Sequence, residues 1–230
     1  VKETAREFRA SIGRIELVGR RYAIIEALVS PEFIHKPGQF TKVIFEDQEG
    51  TFERYYSIAS APRGDGSFEL CLILDDLRTR QIVASWAPGS TLRCTAPAGR
   101  FPIPSKERPI VGMAGGSGIT PLKAIMEDRL QHKGTSHTAL LYGCQTDTEI
   151  PFYEELQDLA RQHPAFQLQI YADQITQGRA VPGRPLDHLD RFIIAKADYL
   201  LCGPPAFMEA ARGLLLERGV APEAIHQDRY

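Results

Sequence analysis

The stretch from Pro109 to Gln131 limits the possible folds more than any other part of the chain. Pro109-Ile110-Val111-Gly112-Met113-Ala114 reads as a short buried strand, and it runs directly into Gly115-Gly116-Ser117-Gly118-Ile119-Thr120-Pro121 and a helical pattern over 122–131. A strand, a glycine-rich turn and a helix in immediate succession belong to an α/β layer. Glycine lets the backbone approach a ligand closely, and a proline at a first helical position marks where N–H groups begin to point outward. The spacing is not G-x-G-x-x-G, so the loop by itself reads equally as a tight connection or a phosphate cradle.

The alternation continues downstream, with strands expected over 138–143, 166–171 and 198–202, helices over 152–163 and 206–218, and a polar loop over 172–185. An open sheet of this kind carries ligands outside the carboxyl ends of its strands. Three segments fall at such ends: the loop 115–120, Tyr142-Gly143-Cys144-Gln145, and Cys202-Gly203-Pro204-Pro205. A lone cysteine is ordinarily a packed small hydrophobe. At a strand end beside a phosphate loop, Cys202 is also placed to meet the reactive part of a dinucleotide.

The first half has a different rhythm. Residues 1–10 are charged and expected to form an exposed lead-in. Beyond Gly13, short alternating runs are separated by turns at Gly19-Arg20-Arg21, Pro37-Gly38, 47–50 and 62–66, a pattern of six close-set strands that predicts a small antiparallel barrel. Residues 75–86 interrupt it as a short helix with Thr79 near its start, where free N–H groups suit a pyrophosphate, although a plain crossover helix is equally consistent. The proline-rich run 97–104 separates the halves. We therefore expect a two-domain chain: an N-terminal antiparallel β-barrel over 1–105 and a C-terminal α/β nucleotide-binding domain with a parallel sheet over 106–230.

Within the barrel, Arg54-Tyr55-Tyr56-Ser57-Ile58-Ala59-Ser60 gathers a cation, aromatic planes and small hydroxyls in one strand. An ordinary half-buried strand and a wall for a phosphorylated planar ring are both consistent with it. A net charge of −2 with mixed signs gives no reason to expect nucleic acid or an anionic membrane as partner. The four cysteines form no C-x-x-C pair, so no metal or iron–sulfur site is expected and any redox cofactor is organic. No apolar run reaches the ~20 residues of a membrane span, and a cytoplasmic location with reduced thiols is expected.

Taken together, the two halves resemble the ferredoxin–NAD(P) reductase family, with the motifs in that family's order. Arg54-x-Tyr56-Ser57 resembles its flavin motif. The resemblance implies that Arg54 binds the flavin phosphate, Tyr56 lies against the isoalloxazine and Ser57 reaches toward flavin N5. Thr79 stands where the family has a Ser/Thr beside the flavin pyrophosphate, but Asp76 replaces the usual preceding glycine. Gly115, Gly116, Gly118 and Thr120 match the pyridine-nucleotide loop, and Cys202, Gly203 and Pro204 match the segment whose cysteine sits by the nicotinamide. The terminal Asp228-Arg229-Tyr230 resembles endings in which the aromatic covers the flavin and the carboxylate serves near the nicotinamide.

The resemblance implies hydride transfer between NAD(P)H and bound FAD, then single-electron delivery to a ferredoxin, flavodoxin or oxygenase component. Cys144-Gln145 and Tyr171-Ala172-Asp173-Gln174, without the arginines expected for a 2′-phosphate, predict NADH over NADPH. The alternatives are an NAD(P)H:flavin reductase using free flavin as substrate and a non-catalytic nucleotide-sensing subunit.

Overall fold

The computed structural model describes residues 6–103, 107–131 and 137–227. The first half is an antiparallel sheet of β1 (Glu7–Val18), β2 (Tyr22–Leu28), β3 (Phe40–Asp47), β4 (Gly50–Ser57), β5 (Ser67–Ile73) and β6 (Thr91–Thr95), in the order β4-β3-β6-β1-β2-β5. The sheet curls until its edges meet, with Ile58 bridging Leu70 and the Ala59 N–H donating to the Glu69 carbonyl at 2.8 Å. The expected barrel is present.

β1 begins earlier than the charged lead-in suggested. Phe8, Ala10 and Ile12 alternate with exposed residues and are buried, so the period of two decides against the local charge. β1 pairs with β6 over Glu7–Ser11 and with β2 from Ser11 onward, with a register shift between Ile12 and Arg14. Helix α1 (Leu77–Ala84) follows β5, as expected.

The second half is a parallel sheet. Strands β7 (Ile110–Gly115), β8 (Thr138–Thr146), β9 (Phe166–Gln174), β10 (Val181–Pro182), β11 (Asp198–Cys202) and β12 (Ile225–Gln227) lie in the order β10-β9-β8-β7-β11-β12. Helices α2 (Ile119–Gln131), α3 (Tyr153–Gln162) and α4 (Pro205–Glu217) connect them. The chain runs outward from β7 to β8 and β9 and then returns to the other side of β7 as β11, which makes the β7–β11 boundary a topological switch point.

The polar loop 172–185 is more ordered than its composition suggested. The Asp147 carboxylate accepts N–H bonds from Thr176 at 2.8 Å and Gln177 at 2.7 Å, and β10 and a 3₁₀ turn at Pro185–Phe192 follow.

One apolar cluster crosses between the halves: Tyr22, Ile24, Ala59 and Cys71 of the barrel pack with Ala114, Ile119, Leu122 and Ile125. A buried charge cluster lies beside it. Lys123 Nζ, 1% exposed, reaches Glu69 at 2.8 Å, Glu127 at 2.6 Å and Glu155 at 2.8 Å. Arg63 and Arg14 approach Glu69 from the barrel side at 3.0 and 3.6 Å. Oxygens of the three glutamates lie within 4.8 Å of one another, close enough for a cation, and the lysine ammonium is that cation. Burial pushes the Lys123 ammonium toward losing its proton, but Glu127, Glu69 and Glu155 reverse this and raise it above its usual range. Burial likewise raises the Glu69 carboxyl, and Lys123 and Arg63 bring it below the ordinary carboxylate value.

Candidate functional site

A cleft of about 1080 Å³ opens where the barrel meets the carboxyl ends of β7, β8 and β11. Register makes this possible: Ala114 pairs with both Tyr142 and Cys202, and Gly115 with Gly143, so three strand ends stop at one level. Arg54, Tyr56 and Ser57 form the barrel wall, while Gly115, Gly116, Gly118, Thr120, Cys202, Gly203 and Pro204 form the opposite floor. Ten of the residues singled out from the sequence, drawn from separate segments, therefore line one cavity.

The floor is two loops in backbone contact. A Cβ on Gly118 would lie 2.2 Å from the Cys202 carbonyl oxygen, and one on Gly203 would lie 3.0 Å from backbone atoms of Gly115. These glycines are thus required by loop-on-loop packing. Gly116 differs, since its φ of +54° needs glycine while the nearest atom, the Tyr22 hydroxyl, is 3.5 Å from the Cβ position. α2 begins at Ile119, earlier than expected, and the Thr120 hydroxyl donates to the Ser117 carbonyl at 2.9 Å, closing the turn.

On the barrel wall, strand alternation separates two tyrosines. Tyr56 is 7% exposed and packs edge-on to Phe45, whereas Tyr55 is 60% exposed and rests against Phe40. Tyr55 is the aromatic that offers most surface to the cleft, and the motif reading passed over it. The buried Tyr56 hydroxyl has no hydrogen-bond partner among the described residues. An unpaired buried hydroxyl costs free energy unless a ligand satisfies it, and a polar planar ring beside Tyr55 and Ser57 fits that need.

Thr79 departs from expectation. It is fully buried and does not line the cleft. Its N–H donates to the Asp76 carboxylate at 2.8 Å, and its hydroxyl accepts from Arg54 Nε at 3.3 Å. Asp76 caps α1 with one oxygen and pairs with Arg54 at 3.0 Å with the other. The N–H of Thr79 is therefore already engaged by a side chain. Asp228 and Tyr230 lie outside the described residues.

Residues not predicted from sequence, Arg21, Tyr22, Asp75 and Phe207, complete the rim together with Arg184 of the polar loop. Among the described residues, each arginine lining the cleft faces an aspartate: Arg21 with Asp75 at 3.2 Å, Arg54 with Asp76 at 3.0 Å, and Arg184 with Asp173 at 3.7 Å. Asp75 and Asp76 were visible as neighbours in sequence, but their partners come from other strands. Burial pushes the Cys144 thiol up to about 12 and the Cys71 thiol higher still, so these two cleft cysteines are uncharged near neutral pH and supply no thiolate.

Residues 113–213 match the oxidoreductase NAD-binding domain family. The chain is 28% identical over 207 residues to the ferredoxin reductase component of 3-ketosteroid-9-alpha-monooxygenase from Rhodococcus rhodochrous, covering 86% of this chain and 57% of that protein. It is 31% identical over 131 residues to ferredoxin–NADP reductase B of Sorangium cellulosum, covering 56% and 54%. The likeness to ferredoxin reductases thus extends over most of the chain. It spans little more than half the length of either of these two relatives.

The same fold is found in a solved structure. The flavohem-like FAD/NAD binding domain of nitric oxide dioxygenase from Vibrio cholerae superposes with a TM-score of 0.84 at 22% identity, covering 98% of both chains. The likeness is one of fold. Among the described residues no helix is long and apolar enough to cross a membrane.

Proposed function

We propose that the chain is an NAD(P)H-dependent flavoprotein reductase that binds FAD on the barrel wall and the nicotinamide nucleotide on the glycine floor. The reading is carried by one observation: the flavin-motif residues and the nucleotide loops line a single cleft at the switch point of the parallel sheet. Bound there, a flavin supplies hydride acceptance from the nicotinamide and single-electron release. The protein's share is positioning. Tyr56 and Ser57 hold the ring edge, Arg54 faces the flavin phosphates, the 115–120 loop takes the nucleotide pyrophosphate, and Cys202 packs beside the nicotinamide. Asp228 serves as a carboxylate near the nicotinamide and Tyr230 as a cover for the flavin ring.

The acceptor is a ferredoxin, a flavodoxin or an oxygenase component, in keeping with the reductase relatives. The domains divide at 105/106, and thiols at all four cysteines fit a reducing, cytoplasmic compartment. NADH is preferred over NADPH. Asp173, near the end of β9, already faces Arg184, leaving a 2′-phosphate next to a carboxylate.

The test is anaerobic mixing of the flavin-loaded protein with NADH or NADPH, followed at the flavin absorbance band. Bleaching with a higher kcat/KM for NADH is expected. No bleaching with either nucleotide would leave a nucleotide-sensing subunit, and faster turnover with NADPH would overturn the cofactor preference. A second reading, flavin as an exchangeable substrate, is favoured by the pairing of Asp76 with Arg54 at 3.0 Å.

A further inference from the structure

In the family pattern the flavin phosphates meet an arginine and the N-terminal end of a helix. Here a single side chain reaches both. Asp76 stands at the N-terminus of α1 with extended backbone, accepts the Thr79 N–H at 2.8 Å and pairs with Arg54 Nη2 at 3.0 Å. Arg54 is further occupied by the Thr79 hydroxyl at 3.3 Å and lies over the Phe52 ring at 5.3 Å. The Thr79 N–H, ahead of the Arg54 guanidinium, holds the Asp76 carboxyl below the usual carboxylate range, so it is charged at neutral pH. A phosphate approaching the cleft-lining Arg54 therefore meets a guanidinium already shared with a carboxylate where the pattern offers a bare glycine, and a helix end whose Thr79 N–H is already engaged.

Nothing comparable opposes the ring. Tyr55 is exposed to the cleft, and the buried Tyr56 hydroxyl lacks a partner among the described residues. Resting on the flavin reading above, we infer that Asp76 is the specificity-determining residue for the flavin's phosphate end, making this cleft recognise flavin mainly by its ring and hold it exchangeably. The consequence is a narrow spread of affinities among riboflavin, FMN and FAD, because the added phosphates gain little. Removing the carboxylate while keeping an oxygen to cap α1 should release Arg54 and widen that spread.

The experiment titrates the full chain, freed of flavin by dialysis, with riboflavin, FMN and FAD, reading flavin fluorescence at low and high salt. The proteins are wild type, Asp76→Asn, Asp76→Gly and the double variant Arg54→Ala/Asp76→Asn. For Asp76→Asn the expected result is FMN and FAD binding tightened roughly three- to tenfold, with riboflavin unchanged. The gain should shrink in high salt and vanish in the double variant. Asp76→Gly should tighten FMN and FAD similarly, and comparing its melting temperature with that of Asp76→Asn isolates loss of the cap. Unchanged or weakened FMN and FAD binding in Asp76→Asn, with riboflavin still bound, would overturn the inference and leave Asp76 as a helix cap alone. Failure of every protein to bind any of the three flavins would overturn it together with the flavin reading.

Discussion

Lys123 shows how much a single residue can carry out of view of any motif. It sits in α2, one turn after the glycine loop, and its ammonium joins Glu69 of β5 to Glu127 and Glu155. A buried charge stripped of its partner is costly, so Lys123→Met is expected to lower stability by about 3–5 kcal/mol, read from urea denaturation. The pH dependence has a definite sign. Glu69 titrates below its ordinary value in the folded state, so its contribution is present above the unfolded value of about 4.3 and is lost as pH falls through the folded value. Lys123 titrates above its ordinary value, so its contribution holds below about 10.4 and is lost as pH rises past that into the strongly alkaline range. The wild-type urea midpoint should therefore fall as the medium is acidified from about pH 5 to about pH 3, and Glu69→Gln should flatten that fall. A fall of equal depth in the variant would remove Glu69 as its source. Arg54 and Ser57 were legible because their motif is contiguous. Lys123 was not, since Glu69 lies 54 residues away in the chain.

At the scale of elements, the sequence revealed the strands and helices whose periodicity is strong and missed those fixed by distant partners. β7 and its glycine loop were legible from a buried run followed by turn residues, whereas β10 and the 3₁₀ turn at Pro185–Phe192 depend on Asp147 gathering the N–H groups of Thr176 and Gln177. The helix start at Thr79 was legible, but the occupation of its N–H by Asp76 was not. The floor of the cleft gives the sharpest expectation at this scale. Gly118→Ala places a methyl 2.2 Å from the Cys202 carbonyl oxygen, backbone against backbone, with no flexible side chain to yield. It should cost about 1–3 kcal/mol as overpacking does, and it should weaken NADH binding at least severalfold. Thermal melting and an NADH titration check both. A variant as stable and as tight as wild type would show that the two loops can separate freely.

Across the whole molecule, the division into a barrel and a parallel sheet was legible from the change of rhythm near residue 100, while the way the halves meet was not. That meeting combines the apolar cluster of Tyr22, Ile24 and Ala59 against Ile119 and Leu122 with the Lys123 ion pairs. Halves joined through a shared core should unfold together. The single tryptophan, Trp86, is half-buried against the barrel core, stacks parallel to Phe45 at 5.8 Å and reports on that half alone. Its fluorescence transition in urea should coincide with the far-UV circular dichroism transition of the whole chain. In Lys123→Met the two should separate, and coincident curves in that variant would place the coupling entirely in the apolar cluster.

The contact between Gly118 and the Cys202 carbonyl also has a bearing on how such a protein can be re-engineered. Two segments more than 80 residues apart in the numbering form one mechanical part. A chimera that imports the 115–121 loop alone sets a foreign backbone against the native Cys202-Gly203 turn, and the mismatch falls where the nucleotide would dock. The unit of exchange is the pair, and a library that diversifies one segment has to diversify the other in the same clone.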